Sequence, residues 1–163
     1  MANKETLENV KIVQKSYDDA PYKSKTFYYT QPGRQQMVLK LLGFKTPNLE
    51  TARVLEIGCS FGGNIIPFAL ENPKADVVGI DLSSVQIEEG NRIIESLGLE
   101  NIRLIHQNVL EFDEKLGKFD YIICHGVFSW VNEEVQRGIL NVIKNHLSEN
   151  GSAILSYNTY PGW

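Results

Sequence analysis

Several residue types and patterns are scarce in this chain. Its 163 residues include two cysteines, three histidines, two tryptophans and two methionines. Two thiols with no histidine at ligand spacing do not make a zinc site, and a cytosolic chain keeps thiols reduced. No apolar run approaches the roughly 20 residues that span a bilayer. The start, Met1-Ala2-Asn3-Lys4-Glu5-Thr6, lacks the apolar core of a secretory signal, which leaves the cytoplasm as the expected location and no membrane as a partner. Excess charge of one sign is also missing. Lys and Arg number 16 against 20 Asp and Glu, a net charge of −4, so there is no basic footprint for nucleic acid. No repeat, linker or low-complexity segment interrupts the sequence. What remains, 42% hydrophobic and 22% charged, is enough to build one ordinary folded core.

Apolar runs of strand length alternate with amphipathic stretches. The first 45 residues read as an N-terminal helical, tyrosine-rich segment with Tyr17, Tyr22, Tyr28 and Tyr29, and 46–163 as the domain proper. A helix is expected from Gln35 to Leu42, stopped by Gly43. Strands are expected at Arg53–Ile57, at Asp76–Asp81, at Ile102–His106, at Phe119–Cys124 and at Ser152–Ser156. Asn64 reads as the cap of the helix after the first strand, which tolerates Pro67 and ends at Asn72-Pro73. Ser83-Ser84-Val85-Gln86 reads as a capping box, opening a helix that turns Val85, Ile87, Ile94 and Leu97 to the sheet and stops at Gly98. Asn132 caps a last helix whose stripe is Val135, Ile139, Val142, Ile143 and Leu147, with Gly151 as its end. Right-handed crossovers give an α/β, doubly wound, Rossmann-like parallel sheet in the order 3-2-1-4-5. Cys59 and Cys124 are then expected as packing residues near one another at the ligand end.

Chemistry concentrates at Val54-Leu55-Glu56-Ile57-Gly58-Cys59-Ser60-Phe61-Gly62-Gly63-Asn64. An apolar strand runs into an acidic residue and a glycine-rich turn, which lets a ligand approach backbone without meeting a Cβ. The second strand ends on Asp81, a carboxylate placed to accept the hydroxyls of a ribose. Gly58 and Gly63 have dinucleotide spacing, but the middle position is Ser60, where that fingerprint needs glycine. Glu56 would repel a pyrophosphate and suits a ligand bearing an ammonium and a sulfonium. S-adenosylmethionine (SAM) has both. An NAD(P)-dependent oxidoreductase is the weaker alternative, opposed by Ser60 and Glu56.

At these residues the sequence resembles the class I SAM-dependent methyltransferases. Tyr17-Asp18-Asp19-Ala20-Pro21-Tyr22, Val54–Asn64, His125-Gly126-Val127-Phe128-Ser129-Trp130-Val131 and Ser156-Tyr157-Asn158-Thr159-Tyr160-Pro161-Gly162-Trp163 narrow the likeness to a bacterial group carrying a C-terminal methyltransferase regulatory domain. Protein-lysine methyltransferases acting on outer-membrane proteins are among that group, so protein lysine is the acceptor class implied. The resemblance implies that Glu56, Gly58, Cys59, Ser60 and Gly62 lie under the methionine part of SAM, that Asp81 holds the ribose and that Leu82 packs on the adenine. Asn108 and Val109 fall where the family holds the adenine edge, and many relatives have aspartate at Asn108. His125 faces the methyl group and is the one candidate for a catalytic base. Phe128 and Trp130 are expected in the core or in an acceptor pocket, and His106 and His146 in structural or solvent-facing places.

The class I sheet normally continues with a helix and two further strands, whereas here seven residues follow Ser156 at position 163. The expectation is therefore the N-terminal, truncated part of a methyltransferase, with a separate chain supplying the missing elements as a partner. The alternative is a non-catalytic SAM-binding or regulatory module, or an inactive remnant.

Overall fold

Parallel strands running from the N-terminal to the C-terminal edge of one sheet bring the key carboxylates to the same end. A computed structural model describes residues 14–15, 18–19 and 24–159. Tyr17, Tyr22 and the Tyr160–Trp163 stretch lie outside the described residues. Strands β1 (Arg53–Ile57), β2 (Asp76–Asp81), β3 (Ile102–His106), β4 (Phe119–Cys124) and β5 (Leu147–Leu155) stand in the order β3-β2-β1-β4-β5. Every neighbouring pair is parallel, the arrangement that right-handed crossovers produce. Helix α1 (Pro32–Leu41) precedes β1, and α2 (Ile66–Glu71), α3 (Ser84–Leu97) and α4 (Glu133–His146) lie between successive strands.

The period-two alternation of each strand divides the core into two layers. Val54, Val77, Tyr121 and Ile123 pack with Ile66, Phe68 and Ala69 of α2 and Ile87 and Ile94 of α3. Leu55, Ile57, Val78, Ile80 and Ile122 pack with Ile139 and Val142 of α4 on the other face. Full burial of each such side chain contributes roughly 1.5–3 kcal/mol. Arg53 ties the N-terminal edge of the sheet together. Its guanidinium bonds Asp76 Oδ2 at 2.9 Å and the carbonyls of Lys118 and Leu116 at 2.6 and 2.9 Å. Among the described residues, no helix is long and apolar enough to cross a membrane.

Four expectations are corrected. The first helix begins at Pro32, not Gln35, because Pro at the first helical position has a pre-set φ and no N–H to satisfy. The second helix is not capped by Asn64, whose side chain is engaged elsewhere; it begins at Ile66 behind Ile65. Val85 and Leu97 are 43% and 48% exposed, so the inward face of α3 is narrower than its apolar content suggests. The last helix ends at His146, and Leu147 opens β5 directly. Gly151 lies inside β5, where the register against β4 shifts. A Cβ there would stand 2.9 Å from the Asp120 carbonyl oxygen.

One glycine tests this packing with a defined sign. In an exposed helix, Gly→Ala stabilises by up to about 1 kcal/mol. At Gly90 of α3 the added Cβ would stand 2.3 Å from Leu104 Cδ1 and 2.8 Å from the Phe61 carbonyl oxygen. Backbone on one side leaves only strain, so Gly90→Ala is expected to destabilise by about 1–3 kcal/mol in denaturant unfolding. A variant more stable than the wild type would refute the close approach of α3 to the turn.

Candidate functional site

The turn after β1 folds back over the end of β2. Gly58 N–H and Cys59 N–H both donate to the Ile80 carbonyl, at 2.8 and 3.1 Å. Gly58 takes φ +76°, and Ser60 takes φ +53° as the one non-glycine residue with positive φ among those described, a conformation that costs an ordinary residue about 1–2 kcal/mol. Ser60 N–H donates to Asp81 Oδ2 at 2.8 Å, and Ser83 N–H donates to Asp81 Oδ1 at 2.9 Å. Asp81 is therefore aimed by two backbone donors at the C-terminal end of the sheet. Burial pushes its carboxyl up, and those backbone bonds pull it down.

A cavity of about 660 Å³ opens at this point, between the ends of β1, β2 and β4. It is large enough for a nucleoside cofactor. Glu56, Gly58, Cys59, Ser60, Asp81, Leu82, Asn108, Val109 and His125 all line it. Gly62 does not. Its φ of +81° shapes the turn, and its missing Cβ makes room for Ile66 and Leu104. Cys59 and Cys124 are both buried and free, but they belong to opposite layers of the core and are not the neighbours expected. Burial pushes both thiols up, Cys124 to about 12, which leaves them protonated packing residues.

The glycines of the turn serve protein neighbours. A Cβ on Gly58 would stand 2.3 Å from Val127 Cγ2, and one on Gly63 would stand 2.7 Å from the Ser24 carbonyl oxygen. The segment that begins at Ser24 crosses the turn. Gly63 N–H donates to Ser24 Oγ at 2.9 Å, and Thr26 Oγ1 donates to the Gly63 carbonyl at 3.2 Å. Asn64 is the junction, with 2% exposure. Its Oδ1 accepts from Phe27 N–H at 2.9 Å and Gln31 Nε2 at 2.8 Å. Its Nδ2 donates to Glu56 Oε1 at 2.7 Å and Thr30 Oγ1 at 3.1 Å. Four groups around one amide explain why this residue is not a helix cap.

His125 sits on the wall with both ring nitrogens engaged. Nδ1 is 2.8 Å from Ser156 Oγ, Nε2 is 3.2 Å from the Tyr29 hydroxyl, and Phe27 meets the ring edge-on at 4.2 Å. Desolvation lowers its pKa, which favours the neutral ring. His106 and His146 hold backbone carbonyls, of Leu82 at 2.9 Å and of Gly117 at 2.7 Å. Trp130 is 61% exposed and lines the cavity, whereas Phe128 packs partly buried against the α4 layer.

Among the described residues four buried side-chain oxygens lack a partner, and three of them, Glu56 Oε2, Gln86 Oε1 and Gln107 Oε1, belong to residues of this wall. Each such orphan costs roughly 1–3 kcal/mol. SAM carries donors on its ammonium, its ribose hydroxyls and its adenine amine, and a wall with Asp81 and Glu56 and no Lys or Arg among the described residues fits it. Gln86 is the clearest residue that sequence reasoning missed, because it was read only as half of a capping box. The Ser83 half forms, with Gln86 N–H on Ser83 Oγ at 3.3 Å. The reciprocal bond does not, since Ser83 N–H goes to Asp81. Ser24, Phe27 and Val127 also line the wall, and no local spacing signals them.

Burial raises Glu56 from 4.5 to about 8, with the Asn64 bond lowering it and the Asp81 charge raising it further. In the free protein it is neutral at pH 7. The folded state then binds a proton that the unfolded state has released, so this group's contribution to stability is full below about pH 4.5 and is lost as pH rises through about 8. Glu56→Gln removes the titration and keeps an acceptor for Asn64. The wild type is expected to lose stability relative to this variant between pH 5 and pH 8 in denaturant unfolding. A difference that does not change with pH would show that Glu56 titrates normally.

A family model described as a methyltransferase domain matches residues 55–153. The uncharacterised protein RP028 of Rickettsia prowazekii is 49% identical over 148 residues, covering 91% of this chain and 59% of its own length. RP789 of the same organism is 47% identical over 147 residues, covering 90% of this chain and 27% of its own length. The solved structure of PKMT2 from Rickettsia typhi in complex with AdoHcy is similar, with a TM-score of 0.85 and 49% identity over 88% of this chain and 28% of that one. The chain therefore spans little more than half of the first of these proteins and about a quarter of the other two. Strand order, the turn after β1 and a family match over more than half of its length agree: the chain belongs to the methyltransferase domain family.

Proposed function

We propose that this protein binds SAM in the cavity at the ends of β1, β2 and β4 and takes part in methyl transfer to a protein lysine. The observation that carries the cofactor reading is a cavity at the ends of the strands lined by Asp81, Glu56 and the turn after β1, with no Lys or Arg among its described lining residues. A pyrophosphate would bring more acceptors to the same wall, which counts against a nicotinamide dinucleotide. The lysine reading draws on the likeness to PKMT2, a structure solved with AdoHcy, and on the family resemblance of the sequence.

SAM, when bound, supplies an activated methyl group on a sulfonium and leaves as S-adenosylhomocysteine. The residues of this chain do the rest by holding, orienting and excluding water. Asp81 presents its remaining lone pairs to the ribose. Glu56 would supply charge balance to a cationic group in the cavity by ionising when it binds, in a site of low dielectric. Apolar walls from Ile57, Ile80, Val109 and Val127 keep water from the methyl donor. In-line alignment of donor and acceptor can lower the barrier by several kcal/mol. An amine acceptor must also lose a proton. Both nitrogens of His125 are already engaged, so it serves as a wall residue in this reading and no base is assigned.

Calorimetric titration with SAM, S-adenosylhomocysteine and NAD tests the cofactor. The first two are expected to bind and NAD is not. Asp81→Ala is expected to weaken SAM binding at least about tenfold for each ribose hydroxyl it no longer holds, with the far-ultraviolet dichroism of the fold retained. Unaltered affinity would remove the ribose assignment. Binding of NAD in preference to SAM would overturn the function.

A further inference from the structure

We propose that the Tyr29 hydroxyl is the contact for the acceptor amine, and that it passes the proton this amine must lose to His125. The assignment rests on the methyl-transfer reading and names the base which that reading leaves open. In that reading Asp81 holds the ribose at the end of β2, and the cationic part of SAM lies toward Glu56 of β1. The next strand across the sheet is β4, whose end gives His125 and Gly126 to the cavity wall. An acceptor therefore meets the methyl donor from the β4 side.

Three separate parts of the chain converge on this histidine. His125 follows β4, Ser156 follows β5, and Tyr29 belongs to the short turn Tyr28–Thr30 ahead of α1. Ser156 Oγ accepts from Gly126 N–H at 2.9 Å and lies 2.8 Å from His125 Nδ1. On the other side of the ring, Tyr29 Oη lies 3.2 Å from Nε2. Phe27 and Tyr29 both meet the imidazole edge-on, with ring centres 4.2 and 5.3 Å away, which fixes its plane. Tyr29 is 53% exposed, and its bond to His125 lies in the exposed part of the structure. Serine, histidine and tyrosine thus lead from the end of the sheet out to the rim of the cavity, where a second molecule can reach the phenol.

A lysine arrives as an ammonium, which has donors and no acceptor. It selects the arrangement in which Tyr29 O–H points to Nε2, Nδ1–H points to Ser156 Oγ, and the phenol oxygen offers its lone pairs. One ammonium N–H bond then breaks and its proton goes to the Tyr29 oxygen, while the Tyr29 O–H proton moves to Nε2. Tyrosine ends as it began, and the histidine becomes an imidazolium whose Nδ1–H stays on Ser156. The freed nitrogen lone pair forms the N–CH₃ bond as the S–CH₃ bond breaks, and the electrons of that bond stay on sulfur. The imidazolium later gives its proton to solvent. An ordinary lysine holds a proton roughly ten thousandfold more tightly than a histidine, so the transfer lies uphill. The sulfonium charge beside the amine loosens that hold, and methyl transfer draws the step forward by consuming the amine. Two engaged ring nitrogens are what such a relay requires, and desolvation that favours the neutral ring keeps it ready to accept.

The test is transfer of labelled methyl from SAM to a pool of lysine-centred peptides of otherwise random sequence, with S-adenosylhomocysteine affinity measured in parallel by calorimetry. Tyr29→Phe keeps the ring against Phe27 and His125 and deletes only the hydroxyl. It is expected to lower kcat by at least about a hundredfold, with S-adenosylhomocysteine affinity within about threefold of the wild type. His125→Gln is expected to cost a similar factor, and the double variant no more than the worse single one, because the two side chains act as one unit. Tyr28→Phe, on the exposed neighbour whose ring Arg34 covers at 5.5 Å, is expected to leave turnover unaltered. The proposal is overturned if Tyr29→Phe turns over at the wild-type rate, if its loss appears only in KM or in cofactor affinity, or if the two single losses multiply. A wild type that binds S-adenosylhomocysteine and methylates no peptide would overturn the methyl-transfer reading and the relay with it. Failure to bind at all would overturn the SAM reading, a result distinct from the others.

Discussion

The hydrogen bond from Asn64 Nδ2 to Glu56 Oε1, 2.7 Å long, is the constraint on which the rest of the site depends. Glu56 lies in the middle of the sheet with 4% exposure, where an ionised carboxylate without a partner is costly. The protein answers by keeping it neutral and giving one oxygen a donor. Because Asn64 also binds Phe27, Thr30 and Gln31, the same amide fixes the path of the N-terminal segment over the turn. Strand, turn and overlying segment are thereby set by one side chain. The other Glu56 oxygen is buried without a partner, and in the neutral acid it carries the proton. A cationic group in the cavity favours loss of that proton, so the charge state of the free site and the affinity of the filled one are linked.

The glycine-rich turn has a second lesson. A run of glycines after a strand is usually taken to make room for a ligand. Here Gly58 makes room for Val127 and Gly63 for Ser24, which belong to the loop after β4 and to the N-terminal segment. Those two pieces also form cavity wall, with Val127 and Ser24 both lining it. The glycines therefore shape the site indirectly, by letting two protein segments close in on the turn. Replacing either one disturbs the wall before any ligand is present.

Much of the sheet could be read from residues in a row. Its strands are short apolar runs bounded by charged or turn residues, and Asp81 and Glu56 stand at their ends because period-two alternation puts them there. Strand order followed from handedness alone. The boundaries that failed have local causes with non-local answers. Asn64 is a good cap by type, yet groups 33–37 positions away claim it. Gly151 is a good helix stop by type, but it lies in a strand that passes close to Asp120. Within the site, carboxylates announced themselves and glutamines did not. Gln86 and Gln107 are ordinary surface residues in composition, and only burial without a partner sets them apart. Such a property belongs to the packed molecule, since it requires knowing where every competing donor has gone.

The electrostatics of the wall also limit which ligand can fill it. Burial raises the cost of ionising both Glu56 and Asp81, the Asp81 charge adds to that of Glu56, and among the described residues no Lys or Arg lines the cavity. Filling it with a neutral molecule would leave the Glu56 proton in place and gain little from charge. Filling it with a phosphate would add negative charge to two carboxylates with no cation to balance it. A ligand carrying positive charge and several N–H or O–H donors meets both demands together, since it lets Glu56 ionise and brings donors to the Asp81 carboxylate. SAM is such a ligand, whereas S-adenosylhomocysteine keeps the ammonium and loses the sulfonium charge. In the proposed reaction, loss of the methyl group would thus remove part of the positive charge that suits this wall.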